Sequence, residues 1–239
     1  MRLLHVIPIS RAIGRETLSY FSLKDIPQGS VISVPLRQRT VPALVIGSDA
    51  IRDSKAAIKG SPWQLRKVKN TKARELFSPA FVEAAKRTAA WSATTTGAVF
   101  AHTLPQAIFS LSSGTPSGTP AAKKRSERGD LVTPKLVFQA EEKERFIRYR
   151  SLIREEFARG VSVFFCVPTV PDAQFAAHIL SKGIESYCFL FYGSLSKQDI
   201  AKRWKEALAM RHPLLIIATP SFLSLPRGDL GTIVLERER

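Results

Sequence analysis

The C-terminal part of the chain alternates short apolar runs with amphipathic patterns, and this alternation limits the fold more than any other feature. VSVFFCV, from Val161, is apolar throughout, as strands buried on both faces are. IESYCFLF, LLIIAT and GTIVL repeat the strand pattern, and LVF at 136–138 is a shorter run of the same kind. Helical patterns separate them, over Phe146–Phe157, Ala173–Leu180 and Ser196–Met210. Gly160 can end the first of these helices, and Ser196-Lys197-Gln198-Asp199 resembles a capping box that opens the last. The alternation predicts a parallel sheet covered by helices.

The first 47 residues have a different pattern, of short β-branched runs between turn signals. LLHVIPI, SVISVPL and VPALVIG predict three strands. Pro27, Gly29 and the basic turn Arg37-Gln38-Arg39 separate them, and we expect Gly47-Ser48 to end the last one. The sequence therefore predicts a small antiparallel unit whose loops carry basic residues.

A helix is predicted over residues 78–92, where the apolar period changes. Ser78 is a typical N-cap and Pro79 suits the first turn. The apolar face recurs at helical spacing through Phe81, Val82, Ala85, Ala89 and Ser92. We expect this face to pack on the β unit rather than to read DNA.

A Gly-, Ser-, Thr- and Pro-rich segment, LSSGTPSGTPAAKKRSERGD, predicts a flexible basic linker over residues 111–134. It divides the chain into a small β-rich module, 1–110, and an α/β lobe, 135–239. Gly114 and Gly118 do not predict a phosphate loop, because no Lys follows them directly and no strand precedes them.

The charge of the chain favours a polyanionic partner. Lys and Arg total 36 against 20 acidic residues, which gives a net charge of +16. Residues 1–110 hold 16 basic and 6 acidic residues, a net of +10, whereas residues 131–239 hold 16 and 12, a net of +4. Nucleic acid is the usual partner of such a surface, and we expect the N-terminal module to bind it. Trp63, in the most basic stretch, could stack on a base.

Several other classes of protein are disfavoured. Cys166 and Cys188 sit in apolar strand patterns and are expected to be buried free thiols. The four histidines and two cysteines lack metal-ligand spacing, so no zinc site is expected. The N-terminal apolar run breaks at Ser10-Arg11, too early for a signal peptide, and no run is long enough to span a membrane. We expect a cytoplasmic location.

Four segments resemble, in collinear order, the primosomal protein N′ (PriA) replication-restart helicase family. SVISVPLRQRTVPALVIG is similar to that family's V-x-V-P-F-G-x-R β segment, and FVEAAKRTAAW to its L-A-R-W helix. YGSLSKQDIAKRWKEA resembles its H-S-x-L-S-x-x-E-R-x-x-x-W, and IIATPSFLSLPRGDLGTIVLERER its V-V-G-T-R-S-A-L-F … V-V-D-E-E-H. The last two are the more specific.

The resemblance implies two functional parts. The first is a module that binds DNA and captures the 3′ end at a stalled fork, and the second is the first lobe of a RecA-like helicase. The family's winged-helix domain has no counterpart in the short linker of this chain. Its second helicase lobe and its zinc-binding cysteines have none either.

The nucleotide-binding motifs of the family are altered in this chain. When Tyr149 is aligned with the tyrosine that follows the phosphate loop, the phosphate-binding Lys falls on Arg145 and the Mg²⁺-binding hydroxyl on Phe146. The glycine positions of the loop are filled by Gln139, Glu142 and Glu144. A phosphate cradle needs glycines and repels carboxylates. No other G-x-x-x-x-G-K-[ST] motif occurs in the sequence.

The acidic motif is altered as well. Glu236 takes the place of the metal-binding Asp, and Arg237 takes the place of the Glu that activates water. A permanent cation cannot accept a proton. Pro220 replaces the Arg of the G-T-R-S segment. We therefore expect no motor activity and no cofactor, with ATP and Mg²⁺ relevant only if the chain is a helicase after all.

The family's DNA-binding residues are partly retained. Its F-D-Y, whose Asp contacts the terminal nucleotide, appears as Leu18-Ser19-Tyr20. The Gly after V-P-F appears as Arg37, and the Lys of its L-K-x-[VI] appears as Arg66. The predicted DNA-binding residues are Ser19, Tyr20, Arg37, Arg39, Arg66, Lys67 and Lys69.

The sequence thus favours a DNA-binding protein related to the primosomal helicase but without its motor. We expect it to bind single-stranded or forked DNA, and replication-restart proteins are further candidate partners. Two alternatives stay open. One is an ATP-dependent DNA helicase, or half of one, acting in replication restart. The other is a non-catalytic partner of replication proteins that uses DNA only incidentally.

Overall fold

The computed structural model is mixed α/β and contains two sheets, one in each of two compact units, Met1–Gly114 and Thr115–Arg239. The residues that the structure describes are 1–50, 65–68, 70–109 and 135–236. The predicted linker, 111–134, lies wholly outside them. No helix among these residues is long and apolar enough to cross a membrane.

The first unit contains a six-stranded mixed sheet with the order β5-β2-β1-β4-β3-β6. Its strands are β1 (Arg2–Pro8), β2 (Leu18–Ser22), β3 (Ser30–Leu36), β4 (Arg39–Ala50), β5 (Arg66–Lys67) and β6 (Asn70–Glu75). All neighbours pair antiparallel except β2 and β5, which are parallel. The three strands predicted from the β-branched runs are confirmed as β1, β3 and β4.

Strand β4 does not end at Gly47-Ser48, so that predicted boundary is wrong. Gly47 pairs with His5 and Ser48 with Leu4, and the ladder continues to Ala50 opposite Arg2. The register shifts between His5 and Val6, which places a bulge in β4 just before Gly47. A glycine inside a strand commonly marks such a bulge, and pairing with β1 carries the strand past it.

One side of this sheet forms a hydrophobic core from alternating strand residues. Leu4, Val6, Tyr20, Ile32 and Val34 are each no more than 4% exposed. The short β5 is followed by Val68, which is 2% exposed and joins the same cluster. Burial of Val68 therefore helps to hold β5 against β2, because burying a valine side chain contributes roughly 1.5 kcal/mol or more.

The part of this unit that the structure describes also has three helices: α1 (Pro79–Trp91), α2 (Thr96–Thr103) and α3 (Gln106–Phe109). The predicted N-cap of α1 is confirmed, since Ser78 Oγ accepts from Phe81 N at 3.2 Å. Ala85 and Ala89 are buried as predicted, whereas Ser92 is exposed. Helix α1 packs mainly on α2, and α2 packs on β1. That the apolar face of α1 packs on the β unit stays a prediction.

Gly97 allows α2 to approach the sheet closely. A Cβ at this position would lie 1.9 Å from the carbonyl oxygen of Pro8 at the end of β1. Only glycine fits such an approach. The first turn of α2 is fixed as well, since Glu16 Oε2 accepts from Thr96 N at 3.0 Å.

The second unit contains a four-stranded, wholly parallel sheet with the order β10-β7-β9-β8. Its strands are β7 (Ser162–Cys166), β8 (Cys188–Phe191), β9 (Leu215–Ala218) and β10 (Leu230–Leu235). Its helices are α4 (Glu142–Ala158), α5 (Val170–Leu180) and α6 (Lys197–Ala209). The predicted parallel sheet with alternating helices is confirmed.

The helix ends follow the predicted capping chemistry. Ser196 Oγ accepts from Asp199 N at 3.1 Å and donates to the Asp199 carboxylate at 2.7 Å. Gly160 ends α4 with a φ of +74°, a conformation that glycine adopts without strain. Helix α5 starts at Val170, three residues before the predicted start, because Thr169 caps it.

Two predicted strands are corrected. Leu136–Phe138 is not in a strand: Leu136 is 90% and Val137 98% exposed. Its apolar residues have no neighbouring strand to pair with among the described residues, and local propensity alone does not form a strand. The first part of IESYCFLF is a 3₁₀ turn, Glu185–Tyr187, so only Cys188–Phe191 is strand.

Arg227, before β10, bonds to the segment at the end of α6. Its side chain is completely buried and pairs with the Asp229 carboxylate. It also donates to the carbonyls of Ala207, Met210 and His212, at and beyond the C-terminal end of α6. A cation at a helix C-terminus satisfies free carbonyls and complements the helix dipole. No local sequence pattern predicted this role.

Candidate functional site

Four of the predicted DNA-binding residues form what we term the basic cluster, Arg37, Arg39, Arg66 and Lys67. Arg37 lies in the two-residue turn between β3 and β4, and Arg39 is the first residue of β4. Arg66 and Lys67 are strand β5, and all four residues are exposed. Arg66 Nη1 donates to the Arg37 carbonyl at 2.8 Å, which joins β5 to the turn. Residues 29 positions apart in sequence are thereby brought together.

The backbone of Arg37 is left-handed, with a φ of +52°. This conformation costs roughly 1–2 kcal/mol for a residue with a Cβ, and glycine adopts it without strain. The position is the one at which the resembling family has glycine. In this chain the turn keeps the left-handed conformation and gains a cationic side chain.

Tyr20 lies beneath the basic cluster rather than on its surface. Its side chain is 4% exposed, and its hydroxyl donates to the Pro35 carbonyl at 2.9 Å. Tyr20 and Arg66 are paired across β2 and β5. Burial raises the pKa of the Tyr20 phenol, and the nearby Arg66 guanidinium partly opposes that shift. Tyr20 thus supports the strand and turn that hold Arg66.

Ser19 lies in a chain of three polar side chains on adjacent strands. Its hydroxyl is 3.3 Å from His5 Nδ1, and His5 Nε2 is 3.0 Å from Asp49 Oδ2. His5 is paired with both Ser19 and Gly47 in the sheet. The resembling family has an Asp at the position of Ser19. In this chain the nearby carboxylate is that of Asp49 on β4, which contacts His5, and His5 in turn contacts Ser19. His5 and Asp49 were not predicted, because nothing local in the sequence marks them.

Three residues singled out from the sequence lie outside the described residues. They are Lys69, predicted to bind DNA, Trp63, predicted to stack on a base, and Arg237, aligned with the water-activating Glu.

In the second unit, the residues aligned with the phosphate loop and the acidic motif bind each other. Glu236 follows β10 and is 5% exposed. Its Oε1 accepts from Arg145 Nε at 3.2 Å and from Arg145 Nη2 at 2.9 Å. Arg145 Nη1 donates to the Ala140 carbonyl at 2.7 Å. All three guanidinium nitrogens are therefore engaged within the protein.

Tyr149 closes the other side of this carboxylate. Its hydroxyl donates to Glu236 Oε2 at 2.6 Å. Burial, followed by the hydrogen bond to Glu236, raises the pKa of Tyr149 to about 12. The hydrogen bond to Glu236 is also the main cause that raises the pKa of Arg145. Both oxygens of Glu236 thus have partners, and the group is suited to hold α4 against β10.

The start of α4 carries negative charge where a nucleotide would need positive charge. Glu142 and Glu144 lie in the first turn, after the N-cap residue Glu141. Carboxylates complement the positive end of the helix dipole, and they repel a phosphate from the same place. Phe146, aligned with the Mg²⁺-binding hydroxyl, is 6% exposed and packs edge-on against Tyr149 and Phe175. The described residues of this site are therefore suited to stabilise the start of α4 rather than to bind a nucleotide.

Both cysteines are free thiols. Burial raises the pKa of the Cys166 thiol to about 11 and that of the Cys188 thiol to about 12. Cys166 is buried as predicted, and Cys188 is only partly so. Among the described residues, no group of three or more His, Cys, Asp or Glu side chains could hold a metal ion.

Comparison of the chain with known proteins found no matching family model and no significantly similar curated protein. The resemblance to the primosomal helicase family therefore rests on the sequence segments quoted above, and function has to be argued from the two sites.

Proposed function

We propose that this protein binds single-stranded or forked DNA through the basic cluster of its first unit and has no nucleotide-driven motor. The observation that carries the proposal is the bond from Arg66 to the Arg37 carbonyl, which joins the edge strand β5 to the turn before β4. Arg37, Arg39, Arg66 and Lys67 lie on these segments with exposed side chains, and exposed cations on adjoining segments are suited to the phosphates of a strand.

Hydrogen bonds hold Arg66 and the turn beside it in place, and this favours a binding surface over a set of mobile charges. Arg66 is fixed through Nη1 to the Arg37 carbonyl, which leaves other N–H groups of its guanidinium directed elsewhere. Its neighbour Tyr20 is buried and bonded to the same hairpin. Arginine held in this way loses less side-chain entropy when it pairs with a phosphate.

The absence of a motor is supported by the internal pairing of Arg145 and Glu236. A helicase uses the corresponding cation and acid to bind phosphate and Mg²⁺, and here each is engaged with the other. The alternative of an ATP-dependent helicase would require both to be released from a nearly buried site.

The resembling family also captures a free 3′ end, and we propose that this chain does so weakly. Ser19 cannot offer the strong acceptor that a carboxylate offers to a terminal hydroxyl. The hydrogen bond between its hydroxyl and His5 engages it further. Blocking the DNA 3′ end with phosphate is therefore expected to change affinity less than about threefold, or roughly 0.7 kcal/mol.

The test is the salt dependence of binding by two matched double variants of the full chain. If about four cations pair with phosphates of a single strand, log affinity falls against log salt with a slope near −3. Arg66→Ala with Lys67→Ala is expected to flatten the slope by roughly one to two units. Lys202→Ala with Lys205→Ala, which removes the same charge from exposed positions of α6, is the control. Equal effects of the two variants would overturn the assignment of the cluster.

A further inference from the structure

An aromatic side chain in the first unit is exposed to an unusual degree. Trp91, the last residue of α1, is 90% exposed, whereas Trp204 is 1% exposed. Tryptophan is highly buried on average, and its burial contributes much to protein stability. Neither the hydrophobic core nor the stacked ring set Phe77, Phe81 and Phe100 accounts for Trp91. Its exposure therefore needs another explanation.

The end of α1 holds Trp91 on a fixed backbone. Ser92 N donates to the Thr88 carbonyl at 2.9 Å, and Thr94 N donates to the Ala89 carbonyl at 3.0 Å. Ala93 between them is left-handed, with a φ of +49°. These bonds close the helix at Trp91 and turn the chain away from it. The residues beside the ring in sequence, Ala90 to Thr94, are small and exposed.

An exposed arginine lies one helical turn before Trp91. Arg87 lies four residues earlier, on the same helix face and about 6 Å along the axis. Arg87 is exposed, and its Nε lies 3.4 Å from Glu83 Oε1; such an exposed ion pair contributes little, so a phosphate can replace the carboxylate. An aromatic ring one helical turn from an arginine matches the spacing between a base and a phosphate of the same strand. A partner with flat apolar rings on an anionic backbone fits this charge and shape.

We infer that Trp91 is a stacking platform for a base of single-stranded DNA, with Arg87 contacting the adjoining phosphate. This inference rests on the proposed function and extends it, because it adds a contact to bases that the basic cluster does not supply. Stacking on an aromatic side chain is tolerant of sequence, since every base has a flat face. The second contact lets the unit distinguish exposed bases from the outside of a duplex.

The test compares oligonucleotides with and without bases. Trp91→Ala is expected to weaken binding to a single-stranded oligonucleotide at least about fivefold. Its salt slope stays that of the wild type, because a ring makes no phosphate pair. On an oligonucleotide of the same length with abasic sites throughout, the wild type and Trp91→Ala bind equally. Trp91→Phe retains most of the affinity, and Leu23→Ala, which shortens another exposed apolar side chain, leaves it unchanged.

The outcomes separate this inference from the proposed function. Unchanged affinity in Trp91→Ala, or an equal loss on the abasic oligonucleotide, overturns the stacking role while the basic cluster can still be required. A change in self-association without a change in DNA binding also overturns it and assigns Trp91 to a contact between copies. If the wild type binds neither oligonucleotide, both proposals are wrong. Far-UV circular dichroism of each variant excludes unfolding as the cause of a loss.

Discussion

Replacing Arg145 by Met should destabilise the second unit by about 3 kcal/mol. Removing one partner from a buried ion pair costs about 3–5 kcal/mol, because the other charge stays buried without compensation. The Arg145 side chain is 20% exposed and that of Glu236 only 4%. Glu236 keeps its hydrogen bond from Tyr149 at 2.6 Å in the variant. These two features place the expected loss at the lower end of the range.

The pair also predicts the result of a double substitution. Arg145→Met with Glu236→Met removes both charges together; it leaves the Tyr149 hydroxyl without its acceptor, and the partly exposed Ala140 carbonyl loses its donor as it does in Arg145→Met. A lost hydrogen bond of this kind costs roughly 1 kcal/mol. The double variant is therefore expected to be about 2 kcal/mol more stable than Arg145→Met alone.

The assay is urea unfolding followed by the fluorescence of Trp204, which is buried in the second unit. Trp63→Phe and Trp91→Phe in all proteins make Trp204 the one reporter. The control is Arg148→Met, which breaks the exposed pair with Glu155 at 3.6 Å and should cost less than about 1 kcal/mol. A loss in Arg145→Met no larger than that of the control would refute the buried ion pair, and so would a double variant no more stable than Arg145→Met alone.

Three further predictions follow from the backbone, the buried arginine and the thiols. Arg37→Gly should stabilise the first unit by about 0.5–1 kcal/mol in urea unfolding, because relief at a φ of +52° exceeds the entropy that glycine adds to the unfolded chain; a loss of stability would contradict it. Arg227→Met should cost about 3 kcal/mol or more, since it leaves the Asp229 carboxylate and the carbonyls at the end of α6 without their donor; thermal unfolding that matches the wild type would contradict it. The pKa of Cys166 is raised to about 11, so about one part in a thousand of this thiol should be thiolate at pH 8, and iodoacetamide should label it only in urea. Because folding raises the pKa of this acid, its contribution to the free energy of unfolding is complete below about pH 9. That contribution is lost as the pH rises through 11.

Local signals in the sequence predicted the elements whose causes are local. The Ser78-Pro79 start of α1, the stop at Gly160 and the apolar stripe of α4 all appear in the structure. Each depends on residues within about one or two helical turns, so their spacing alone is sufficient. The parallel order of the second sheet follows from strands joined by helices.

The predictions of strands were wrong where residues distant in sequence determine whether a strand forms or where it ends. Leu136–Phe138 has strand propensity but no partner among the described residues, and β4 passes Gly47 because β1 pairs with it from 42 residues away. Propensity cannot contain information about such partners.

The sites depend on long-range pairing in the same way. Alignment identified Arg145 and Glu236 as altered motif positions, but their direct bond, across 91 residues, needed the fold. The chain Ser19–His5–Asp49 spans three strands, and the exposure of Trp91 depends on how α1 ends. In each case the residue type is common, and only the neighbours brought by the fold give it a role.

The most direct test of the central claim is a titration of the purified full chain with forked DNA, with and without ATP and Mg²⁺, over a range of salt. We predict binding whose log affinity falls with a slope near −3 against log salt, unchanged within about twofold by the nucleotide and without release of phosphate. DNA-stimulated ATP hydrolysis that is lost in Arg145→Met would contradict the account. Affinity that does not respond to salt would contradict it equally.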